Sequence, residues 1–117
     1  MKKLSAGINM SDSQSPLAFD QEGFLLDLAL WNETIAREIA KRDAIALTQA
    51  HFDVIYLLRD FYSKHQVAPA NRPLVKLVKE NLGLDKGNSI YLMTLFPESP
   101  AKFAAKIAGL PKPPNCL

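Results

Sequence analysis

A chain of 117 residues has room for one domain, and a makeup of 48% apolar and 22% charged residues is enough for a buried core and excludes a disordered protein. The formal charge of +2 is unevenly spread: residues 1–58 carry 5 Lys/Arg against 8 Asp/Glu, and residues 59–117 carry 9 against 4. A basic second half suits an anionic partner, either RNA or an acidic protein surface, and reads equally as a solvated face.

Residues 1–15 are polar, small and aperiodic, and read as a flexible lead in which Met1 and Met10 are both candidate starts. Met1-Lys2-Lys3 opens like a signal peptide. The stretch from Leu4 to Met10 is broken by Ser5, Gly7 and Asn9, however, and has no apolar core. No window reaches the length of a membrane span, so the reducing cytoplasm is the expected location and no membrane partner is expected. Residues 16–109 read as one helical domain. Leu17 and Phe19, a turn over Asp20 to Gly23, and Phe24 to Leu26 predict a small β-hairpin that must pack on helices to persist.

Helical spacing then takes over. Trp31, Ile35, Ala36, Ile39 and Ala40 form one stripe, which Asp43 ends. Thr48 is the expected N-cap of a second helix running to about His65. Its stripe of Phe52, Ile55, Leu58, Arg59 and Tyr62, widened by Val54, Leu57 and Phe61, marks it as the expected central core element. Arg72-Pro73 is expected to open a third helix, with Pro73 at its first position and Leu74, Leu77 and Val78 inward; Asn81 to Gly83 stop it. Asn88 caps a fourth helix with Ile90, Tyr91, Leu92, Leu95 and Phe96 as its apolar set. Ser99 is expected to cap a fifth, opening on Pro100, with Phe103, Ala104 and Ile107 facing the core and Gly109 ending it. The fold class is therefore mostly α (α+β): a small hairpin, about five short helices and an extended C-terminal arm over residues 110–117.

Most chemistry-bearing motifs are absent. There is no phosphate-binding glycine loop, no HExxH, GxSxG or CxxC, and Asp60 and Asp85 have no evident carboxylate partner. His51 and His65 read as structural, the latter as a helix-dipole partner, and two histidines with one distant cysteine do not make a metal site. Two helix pairs have helix-turn-helix spacing, but residues 88–96 offer few polar groups for base edges, so sequence-specific DNA binding is not expected.

The tail is different. In GLPKPPNCL, Pro111, Pro113 and Pro114 exclude a helix and favour an extended arm, with the single cysteine, Cys116, next to the last residue. One cysteine excludes an intrachain disulfide. Eight residues from Leu110 span roughly 25 Å when extended, which suits delivery of a thiol into another protein. Nearby cations favour the thiolate, whose unperturbed pKa is about 8.5, while the Leu117 carboxylate disfavours it. The expected docking cations for the tail are Arg72 and Lys112, with Lys76, Lys102 and Lys106 as further candidates.

Four stretches carry a family resemblance: LLRDFY (57–62), NRPLVK (71–76), GNSIYLMTLFPESPAK (87–102) and KIAGLPKPPNCL (106–117). From about Leu17 to its end the chain resembles the DsrC/TusE family of sulfur-relay proteins. The resemblance implies a compact helical fold with an N-terminal hairpin, and a penultimate cysteine, here Cys116, that carries sulfur as a persulfide. Members linked to sulfite reductase have a second arm cysteine eleven residues earlier; that position here is Ala105. The chain therefore looks like the single-cysteine relay branch. That branch takes sulfur from an upstream Tus-type sulfurtransferase complex and passes it toward the tRNA 2-thiouridylase, with or without bound tRNA, and needs no cofactor. The competing expectations are a regulatory or accessory partner of a sulfite reductase or sulfur-oxidation system, and a helix-turn-helix DNA binder.

Overall fold

The computed structural model describes residues 17–115. The lead, 1–15, lies outside the described residues. Five helices follow one another: α1 (Glu33–Arg42), α2 (Gln49–His65), α3 (Asn71–Leu82), α4 (Ser89–Leu95) and α5 (Pro100–Ile107), with a single 3-10 turn at Leu28–Leu30 before them. No strand forms among the described residues. Where a hairpin is expected there is one antiparallel bridge, Phe19 to Leu25, with hydrogen bonds from Asp20 N to Phe24 O and from Leu26 N to Ala18 O.

The hub is α5, which packs against each of the other four helices. This corrects the expectation that α2, the longest helix, would be central. The reason lies in side-chain size. Ala101, Ala104, Ala105 and Ala108 are all essentially inaccessible, and such small residues let several helices approach one short segment. Ile107, Leu92 of α4 and Phe96 just after it close the core from this side, while Val54, Ile55 and Leu58 of α2, Ile39 of α1 and Leu74 and Val78 of α3 supply the rest. Ile90, assigned to the apolar set of α4, is 80% exposed, because a seven-residue helix buries only one narrow face.

Helix ends follow local chemistry with two corrections. Asn32 and Asn88 accept from Ile35 N and Tyr91 N and so cap α1 and α4. The third helix begins at Asn71, which places Pro73 third; proline is tolerated there because the first-turn N–H groups lack intrahelical partners. Asn71 in turn accepts from Ala101 N at 3.0 Å, so a side chain of α3 caps α5, while Ser99 makes no capping bond.

His51 has the structural role expected of it. Its Nδ1 accepts from Thr48 N at 3.0 Å and meets Thr48 Oγ1 at 2.9 Å, and its Nε2 donates to Leu95 O at 2.9 Å, joining the start of α2 to the end of α4. The ring also meets Phe96 edge-on. This arrangement uses the neutral imidazole, and burial lowers the His51 pKa from 6.5, with the Leu95 carbonyl opposing. The unfolded chain therefore binds this proton first as pH falls, so the contribution is full above about pH 6.5 and declines toward the lower folded-state value. Melting curves of wild type and His51→Gln should converge as pH falls over the range below about 6.5. A gap in Tm that holds constant across that range would show that His51 is not the titrating group.

Candidate functional site

Two side chains meet at the C-terminal end of α5, where the last carbonyls have no partner within the helix. The Trp31 indole donates through Nε1 to Ile107 O at 2.8 Å. Arg59, halfway along α2, donates through Nη1 to Ala108 O at 2.7 Å and lays its guanidinium over the Trp31 ring, 4.1 Å from the centroid. A charge-assisted bond and a cation–π contact thus come from one half-buried side chain. Burial lowers the pKa of Arg59, the neighbouring Tyr56 opposing, but a guanidinium stays protonated throughout the working range.

The chain leaves α5 through a glycine cap. Gly109 N donates to Lys106 O at 3.1 Å and Leu110 N to Ala105 O at 2.9 Å, the paired bonds of a Schellman motif. Gly109 has φ +74, and a Cβ there would stand 2.5 Å from Trp31 Cδ1. Glycine therefore supplies both the left-handed backbone and the space for the indole. Leu110 is buried, so the start of the arm lies in the core, and beside it a groove of about 330 Å³ is lined by Leu28, Arg59, Tyr62 and Gln66.

Beyond Leu110 the arm stays on the body. Lys112 Nζ meets the two carboxylate oxygens of Glu22 at 3.0 and 3.3 Å, and Pro113 is buried. Lys102 of α5 reaches the same carboxylate at 3.3 Å. With Lys112 the larger influence and Lys102 behind it, the Glu22 carboxyl is held below its ordinary pKa. Pro114 and Asn115 are exposed, and Asn115 has φ +61, so the backbone turns before Cys116. Cys116 itself lies outside the described residues.

Of the expected docking cations, Lys112 anchors the tail, and its counter-charge is Glu22, which sequence reasoning missed. Lys106 pairs instead with Asp43 at 3.3 Å. Arg72 and Lys76 are exposed on α3, and neither side chain forms an ion pair or hydrogen bond with a described residue. In the sequence Arg59 and Trp31 stand out only as members of apolar stripes. A charged residue within such a stripe is itself the available signal, because a partly buried arginine requires acceptors. Among the described residues no group of three His, Cys, Asp or Glu side chains is placed to hold a metal ion, and no helix is long and apolar enough to cross a membrane.

These features define a small helical protein whose C-terminal segment is fastened at its root and exposed at Pro114 and Asn115. The chain belongs to the DsrC-like family: the family profile described as "DsrC like protein" matches residues 12–117. It is 57% identical over 98 residues to a sulfurtransferase TusE homolog of Haemophilus influenzae, covering 84% of this chain and 90% of that one. It is 48% identical over 108 residues to sulfurtransferase TusE of Sodalis glossinidius, covering 92% and 100%. The fold superposes on the NMR structure of Allochromatium vinosum DsrC with a TM-score of 0.79 and 48% identity, over 86% of this chain and 90% of the other.

Removing the anchor should loosen this end of α5. Arg59→Ala is expected to cost about 1–3 kcal/mol in denaturant unfolding, since a cation–π contact and a charged hydrogen bond are lost together. Gly109→Ala should cost at least as much, and both should speed exchange of the Leu110 amide, whose bond to Ala105 O depends on the cap. Wild-type protection of that amide in both variants would show that the cap holds without them.

Proposed function

We propose that this protein is a sulfurtransferase of a sulfur relay, carrying sulfane sulfur on Cys116 for tRNA 2-thiolation. The observation that carries the reading is the chain's 57% identity to a sulfurtransferase TusE homolog, combined with a single cysteine at the tip of a tethered arm. The division that fits is a lead over 1–15, a helical domain over 16–109 with a small hairpin at its start, and an arm over 110–117.

The chemistry is a thiol exchange. The Cys116 thiolate attacks the outer sulfur of a donor persulfide; a new S–S bond forms on Cys116, the donor S–S bond breaks, and the donor leaves as thiolate. Charge and oxidation level balance, because the sulfane sulfur changes carrier without changing state. No metal or organic cofactor takes part. The donor is an upstream Tus-type sulfurtransferase complex, and the acceptor is the tRNA 2-thiouridylase with or without its tRNA. The cytoplasm suits the step, since its reducing poise keeps a lone thiol free. Exposed cations, Arg72 foremost, are the candidates to steady the thiolate or persulfide when the tip docks.

The accessory-partner reading rests on the likeness to Allochromatium vinosum DsrC. A device that works by closing two arm thiols on each other is not open to this chain, whose position eleven residues before Cys116 is Ala105, packed fully inside the core.

Incubation with a cysteine desulfurase, its relay proteins and cysteine should add one sulfur atom to the intact mass, and Cys116→Ser should abolish the gain. An unmodified wild-type mass, under conditions that load the upstream donor, would remove the proposal. Cys116→Ser should leave the melting temperature nearly unchanged, whereas a loss of several kcal/mol would identify a core cysteine.

A further inference from the structure

We infer that Glu22 is a positioning residue for sulfur transfer: by holding Lys112, it fixes the point on the body from which Cys116 starts its reach. The inference rests on the reading of Cys116 as the sulfur carrier.

Glu22 is ninety residues from Lys112 in sequence, and its placement is built rather than incidental. It sits in the turn that joins the bridge partners Phe19 and Leu25. Asp20 Oδ1 accepts from both Glu22 N and Phe24 N at 2.9 Å, and Gly23 N donates to Asp20 O at 3.0 Å, so the turn is closed on itself. Gly23 has φ +90 and rests against the Lys106 side chain, whose Cε would lie 2.8 Å from an added Cβ. Lys106 is in turn held by Asp43, and Lys102 approaches Glu22 from α5. The turn is thus seated on α5, the helix from which the arm departs, and it presents one carboxylate to one arm lysine.

The consequence for reach follows from chain length. Counted along an extended chain, Cys116 is four residues, about 13 Å, from Lys112 and six residues, about 20 Å, from Leu110. A tether at Lys112 shortens that reach by about a third and cuts the accessible volume to about three-tenths, raising the effective concentration near the tether about threefold. Glu22 and Lys112 are both partly solvated, so the pair is weak and screened by salt. A hold of that strength narrows the search and still lets the arm go when a partner takes the tip. Positioning of this kind acts on encounter with the partner, not on the exchange of sulfur.

The test compares wild type, Glu22→Gln, Lys112→Glu and the Glu22→Lys/Lys112→Glu double variant. Two readouts serve: backbone 15N order parameters over residues 110–115, and the kinetics of sulfur loading from the persulfidated donor, read by intact mass. Glu22→Gln is expected to lower the order parameters at Lys112 and Asn115 and to raise KM for the donor by up to about threefold with kcat unchanged, an effect bounded by the volume ratio. The charge-swapped double variant should recover both toward wild type. Added salt should bring wild type toward Glu22→Gln. Order parameters and KM unchanged in Glu22→Gln, or a double variant no better than either single one, would overturn the inference. Failure of the wild type itself to load sulfur would instead strike the carrier reading, so the two failures are told apart by the wild-type trace alone.

Discussion

The end of α5 is a set of bare carbonyls that must be satisfied where the chain has already turned away, and Arg59 is the side chain that meets this constraint. It supplies a charged donor to Ala108 O while its flat face lies on Trp31, whose own N–H serves Ile107 O. Three segments far apart in sequence are thereby fixed at one point: the 3-10 turn, the middle of α2 and the last turn of α5. The Gly109 cap completes the join, because only a residue without a Cβ leaves room for the indole. Remove this junction and the arm has no defined origin.

A firm root and a more lightly held middle are complementary properties. A carrier must deliver its thiol to at least two other proteins, and an arm rigid along its whole length would fit only one geometry. An arm free from its root would lose entropy at each docking and search a large volume first. Here the burial of Leu110 and the glycine cap hold the root, an exposed ion pair and Pro113 hold the middle, and Asn115 lies open before Cys116. Strength of attachment falls along the segment in the direction of the chemistry.

The alanines of α5 bear on function as well as on packing. Ala101, Ala104, Ala105 and Ala108 make the helix thin enough to be surrounded, so it is well supported although only eight residues long. With Ala105 in this row the chain holds a single thiol, and sulfur carried on it, as proposed, would exchange only with other molecules. A helix hub built of small residues therefore coincides with a carrier that cannot close on itself.

Much of this was legible in the chain. Helix positions followed from apolar spacing and from caps such as Thr48 and Asn88, since these depend on residues within a few positions of one another. The extended course of the arm was legible because proline acts locally on its own backbone and that of its neighbour. The centrality of α5, the capping of α5 by Asn71, the Arg59–Trp31 junction and the Glu22–Lys112 pair were decided by tertiary structure alone. Each joins residues between 28 and 90 positions apart, whose approach depends on how four helices settle around a thin fifth one. Local rules carry a side chain's type and spacing, but an ion pair or a cation–π contact needs a distance in space, and only the packed core sets that distance.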